Sequence, residues 1–155
     1  MNGAAHDSRV AHVVRRLFSL PARDFGELLV AQAYLVQAQW TVRRRPKGSL
    51  LRRVERAAPD EAPQREDRLS RLVVAVDRAA RYGVFRPTCL VRAVALERMI
   101  VRSGVGTAVV RVGVLRGNDQ FLAHAWIELA GRVIGDEASR VGQFTPLQDF
   151  SALPR

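Results

Sequence analysis

An α+β fold, with helices first and an antiparallel sheet after them, is what this 155-residue sequence predicts. Apolar residues recur at helical spacing from the N-terminal region to about Gly104. From Thr107 onward the pattern turns β-branched, and turn residues cut it into three short runs. Helices followed by a meander is the order of an α+β domain.

The first helix is read over residues 10–20, where Val10, Val13, Val14 and Leu17 share one face and Pro21 follows. A longer helix after Pro21 carries Phe25, Leu28, Leu29, Ala33, Leu35, Val36 and Trp40, and meets few breakers before Pro46. It runs into a basic stretch, residues 43–56 (RRRPKGSLLRRVER). Residues 57–67 (AAPDEAPQRED), with two prolines and four acids, read as a surface loop. A further helix runs from Leu69 through Leu72, Val73, Val76 and Ala80 to Gly83. Thr88 is the expected N-cap of the next, with Cys89 inside its first turn and Gly104 as its stop. Residues 107–115 (TAVVRVGVL), 121–129 (FLAHAWIEL) and 132–136 (RVIGD) are the expected strands.

Composition narrows the function classes. Apolar residues make up 48% of the chain, enough for a core. A single cysteine excludes an internal disulfide and a zinc site of paired CxxC type. No run of about 18 uncharged apolar residues occurs, and the first ten residues lack a signal-peptide pattern, so a cytoplasmic protein is expected. The net charge of +10 favours an acidic partner, and Lys47 is the only lysine, so the skew to arginine also reflects coding bias.

The last hairpin brings chemistry into view. A two-residue loop at Ala130-Gly131 would set Ala125 opposite Asp136. A three-residue loop, Leu129-Ala130-Gly131, would use Gly131 in the left-handed region. The second register is preferred, because it sets Glu128 against Arg132, Trp126 against Ile134, Ile127 against Val133 and His124 against Asp136. Cys89 at a helix start, where the macrodipole and the neighbouring Arg86 and Arg92 favour a thiolate, then completes a nucleophile, base and orienting acid. Each residue also has a plainer reading: a buried small thiol, a structural histidine, an aspartate opening a turn.

At these residues the sequence resembles a known family. The segment CLVRAVALERMIVRSGVGTAVVRVGVLRGNDQFLAHAWIELAGRVIGD is similar to the signature region of the lasso-peptide leader peptidases, cysteine proteases of the transglutaminase-like, papain-like superfamily. The Cys-Leu pair opening a helix, the block AHAW followed by an acid, the glycine hairpin and the closing acid carry the likeness. The tail VGQFTPLQDF and the upstream ELLVAQAYLVQAQWTVRRR share its character more loosely.

The resemblance implies a transglutaminase-like core, with a Cys-bearing helix packed on an antiparallel sheet. Together with the composition shift at 57–67, it gives residues 1–56 as a helical region, 57–67 as a surface loop and 68–155 as the peptidase core, which forms one compact unit with the helices. It implies Cys89 as nucleophile, His124 as base and acid, and Asp136 as orienter, with no cofactor and no metal. The implied reaction removes the leader from a ribosomally made precursor peptide through an acyl-enzyme, before a separate cyclase closes the macrolactam. A separate leader-binding partner, the RiPP recognition element, is implied as well, and so is a pocket for the threonine next to last in the leader. No glutamine precedes Cys89 as an oxyanion donor, which leaves the Cys89 N–H as the one candidate. Trp126 reads either as a cover for the triad or as a core aromatic facing Ile134, and Glu128 as the partner of Arg132. Two other classes stay open: a transglutaminase-like scaffold without catalysis, and a nucleic-acid binder resting on residues 43–56. That stretch shows no base-reading motif, so no nucleic acid is expected.

Overall fold

The computed structural model describes residues 22–44, 63–116 and 121–147. The expected helix over residues 10–20 lies outside them, as do residues 45–56 of the basic stretch and residues 57–62 of the expected loop. Helix α1 spans Ala22–Arg44, α2 Pro63–Tyr82 and α3 Cys89–Ser103. Strands β1 (Ala108–Arg116), β2 (Phe121–Leu129) and β3 (Arg132–Ile134) follow, then a single-turn helix α4 (Ala138–Val141) and a two-residue strand β4 (Thr145–Pro146). The sheet order is β3-β2-β1-β4, with every neighbouring pair antiparallel. The described residues are thus an α+β unit, with a Cys-bearing helix against the sheet.

Helix α3 is the centre of the core. It buries Val91, Ala93, Val94, Ala95, Leu96, Met99 and Ile100, too many for one stripe, because α1 and α2 cover one side and β1 and β2 the other. Alanine lets these helices approach closely. Ala31, Leu35 and Ala38 of α1 are fully buried, and Val76 and Ala79 of α2 nearly so. Ile100, Leu35, Ile127 and Val91 are the largest side chains sealed from water, each worth about 1.5–3 kcal/mol of transfer free energy.

Both ends of α3 follow the sequence reading. Thr88 is extended (φ −69°, ψ 165°) and its hydroxyl accepts from the Val91 N–H, while Gly104 closes the helix at φ 72°. Helix α2 begins at Pro63, six residues before the expected Leu69. Proline has no N–H to leave unpaired in a first turn, and Glu66 suits the positive end of the dipole. That early start places Glu66 against Arg132 of β3, Nη2 to Oε1 2.8 Å, so Arg132 is not the partner of Glu128. Strand β4, which pairs with Gly113 and Val114 of β1, has no counterpart in the sequence reading, since two residues carry no periodicity.

The β2–β3 register is the one set aside above. Ile127 faces Ile134, Glu128 faces Val133 and Leu129 faces Arg132. The loop is the two-residue Ala130-Gly131, with both residues at positive φ (51° and 77°), the signature of a type I′ turn. The cross-strand pairings of Glu128 with Arg132 and Trp126 with Ile134 that favour the three-residue loop do not form; Ala130 takes the left-handed region instead. Trp126 accordingly faces Arg111 of β1 rather than Ile134.

Candidate active site

Cys89 is the first residue of α3, half-buried, with its thiol free. Thr88 satisfies the Val91 N–H with its hydroxyl and the Arg92 N–H with its carbonyl. The N–H groups of Cys89 and Leu90 have no intrahelical acceptor in such a first turn and point out of the helix, toward anything bound at its end.

His124 and Asp136 meet although the ladder does not pair them. Were β3 to continue, Asp136 would fall opposite Ala125. The strand instead ends at Ile134, and Gly135 at φ 71° turns the chain. That turn brings Asp136 Oδ2 to 2.5 Å from His124 Nε2. The other carboxylate oxygen accepts the Glu137 N–H at 2.9 Å. Burial pushes the Asp136 carboxyl up, but the His124 and Glu137 hydrogen bonds, with the charges of His124 and Arg140, outweigh it and hold the group below its ordinary value. Both side chains are mostly enclosed, 12% and 19% exposed. With Nε2 engaged by Asp136, Nδ1 is the imidazole nitrogen left for another partner.

Aromatic rings flank the imidazole. Trp126 lies near-parallel to it, with centroids 6.3 Å apart, and Phe144 is tilted against it at 5.2 Å. The Trp126 ring occupies space that only a glycine leaves: a Cβ on Gly113 would stand 2.8 Å from the indole. The indole N–H donates to Glu128 Oε1 at 3.0 Å, and Arg111 Nε donates to Glu128 Oε2 at 2.9 Å.

Cys89, His124 and Asp136 line one open cavity of about 380 Å³ between the start of α3, β2 and the β3–α4 turn. Its apolar wall includes Val73, Val76, Leu96 and Ile134; its charged groups are Asp77, Arg92 and Arg140 besides Asp136. Arg92 is ion-paired with Asp77, so its charge is answered by a carboxylate rather than left to the thiol. Arg86 is exposed and does not line the cavity. Thr88 acts as the cap and is not part of the lining.

Sequence reasoning missed Arg111, Gly113, Arg140 and Phe144. Arg111 and Gly113 come from β1, whose register against β2 no local turn signal sets; Phe144 returns from beyond α4. Only the alternation of His124, Trp126 and Glu128 on β2 signalled that a common face was being built.

Among the described residues, no three His, Cys, Asp or Glu side chains cluster as metal ligands would. No described helix is long and apolar enough to cross a membrane. The family profile described as the transglutaminase-like superfamily matches residues 33–149, well over half of the chain. No curated protein and no solved structure matches it.

Proposed function

The chain belongs to the transglutaminase-like superfamily, which includes cysteine proteases, and from that premise we propose that it is a cysteine peptidase acting through Cys89, His124 and Asp136. The observation that carries this reading is the 2.5 Å His124–Asp136 hydrogen bond on the wall of the cavity that Cys89 also lines. A histidine held at Nε2 by a carboxylate presents Nδ1 in a defined orientation, and the nucleophile opens a helix whose dipole favours negative charge.

In this mechanism Cys89 gives its proton to His124 and its sulfur adds to the scissile carbonyl. The oxyanion is met by the Cys89 N–H, the donor foreseen above, with the Leu90 N–H beside it. As the tetrahedral intermediate collapses the C–N bond breaks, and His124 passes the proton to the leaving amine. Water, deprotonated by His124, then releases the acyl group and restores the thiol. Asp136 stays ionised throughout and holds the imidazole.

The substrate we propose is a ribosomally made precursor peptide of lasso type, from which the enzyme cuts the leader. It would act in the cytoplasm with a separate leader-binding partner and ahead of a separate cyclase. The similarity of residues 89–136 to the leader peptidases supports that assignment, and the cavity is open to solvent, as access for a peptide chain requires. The test is incubation of the protein with such a precursor and its recognition element, read by mass spectrometry. Cleavage by the wild type and none by Cys89→Ala is the expected result. A leader left intact by both would overturn the assignment.

A further inference from the structure

The Arg111–Glu128 pair lies beyond Trp126, whose indole it holds and whose ring flanks the imidazole. His124, Trp126 and Glu128 alternate along one face of β2, while Gly113 and Arg111 lie across from His124 and Trp126 on β1. Trp126 is 3% exposed, so its single N–H donor must be satisfied inside the protein. Glu128 Oε1 satisfies it, and Arg111 holds the second oxygen of the same carboxylate. The indole has two torsions: its hydrogen bond fixes one edge, and the Gly113 backbone beneath leaves room for the ring in this pose.

An imidazole bonded at one nitrogen can still rock about that bond. Asp136 fixes the distance from Nε2 but not the tilt of the ring. Trp126 and Phe144 supply the walls against that tilt. A wall restrains only as well as it is itself held, and Glu128 is what holds the Trp126 wall.

We infer that Glu128, clamped by Arg111, is a positioning residue for His124, acting through the Trp126 ring to keep Nδ1 aimed into the cavity. The carboxylate acts by geometry. Its charge is met by the Arg111 guanidinium, and the uncharged indole stands between it and the imidazole. The inference rests on the peptidase reading for its consequence, but its physical content is the order of the His124 ring.

The test reads that order directly. In a chain carrying His6→Gln and His12→Gln, His124 is the sole histidine, and its nitrogen-15 NMR signals report tautomer and exchange. Alkylation of Cys89 by iodoacetamide near neutral pH reports the thiol's partner, and thermal melting reports the fold. We expect one tautomer, protonated at Nε2, in the starting chain. Glu128→Ala should give exchange-averaged signals and slow alkylation about tenfold, the scale on which misaimed groups lose rate. Glu128→Gln should recover part of both, since the amide oxygen still accepts the indole N–H but its NH2 cannot accept from Arg111. Trp126→Phe keeps an aromatic wall but removes the N–H, and should loosen His124 as Glu128→Ala does; it decides the matter if Glu128→Ala does not fold. A single sharp tautomer in either loosened variant overturns the inference. Unchanged alkylation in His124→Ala would instead sink the Cys89–His124 pairing, while the NMR comparison still judges Glu128.

Discussion

Strand β2 has two faces built on different principles. Ala125 and Ile127, with partly buried Leu129, point into the core shared with α3. His124, Trp126 and Glu128 point the other way, and each is held by a named hydrogen bond or ring contact. The first face depends on volume: any atom removed leaves a gap. The second depends on direction, because these three groups are polar or aromatic and act through an angle. One strand therefore offers two mutational responses, and separating them tests the account of the molecule.

The largest expected effect lies on the core face. Ile127 is 1% exposed, so Ile127→Ala should cost about 2–5 kcal/mol in urea unfolding, the usual range for a buried isoleucine. His124→Ala should cost well under half of that while abolishing cleavage. If the two variants lose stability equally, the faces are not distinct in kind.

Next comes the turn that joins the faces. Gly135 sits at φ 71°, and an added Cβ would stand 3.1 Å from Leu96 Cδ2. Gly135→Ala combines backbone strain with pressure on the core and should cost about 1–3 kcal/mol. It should also displace Asp136, so its activity should fall by more than its stability alone explains.

A smaller effect is expected from Asp136. Its carboxyl is held below its ordinary value in the fold, so the unfolded chain binds a proton more readily there. Its stabilisation is then fully present above the unfolded pKa and lost as the pH falls through the folded one. Asp136→Asn should lower stability on the order of 1 kcal/mol at neutral pH, with the deficit vanishing in acid. A deficit that stays constant with pH would show that the carboxylate charge contributes nothing.

The two faces were not equally readable in the sequence. The core face and the caps of α3 follow from periodicity and from local residues such as Thr88 and Gly104. The sequence pairs His124 with Asp136 through a register that β2 and β3 do not adopt; a left-handed Gly135, not the ladder, brings them together. The hairpin places Arg132 as the near neighbour of Glu128, whereas Arg132 reaches Glu66 at the start of α2 and Glu128 takes Arg111 of β1. Charges choose partners across tertiary contacts, and no local rule weighs a partner 66 residues away.

The smallest effect probes the register on which both faces rest. In the two-residue turn Ala130 is left-handed, at a cost of about 1 kcal/mol for a residue with a Cβ. Asparagine tolerates that region and is the preferred residue before glycine in a type I′ turn. Ala130→Asn should therefore raise the urea midpoint, with a gain of about 0.5–1 kcal/mol. In a three-residue loop position 130 would be right-handed, and asparagine would bring no such gain. The distinction reaches beyond the turn. With Ile127 facing Ile134, the isoleucine of β3 joins the core face; shifted by one, it would lie with Trp126 on the face that holds His124. An unchanged or lowered midpoint would thus move Ile134 across the sheet and undo the separation of the two faces.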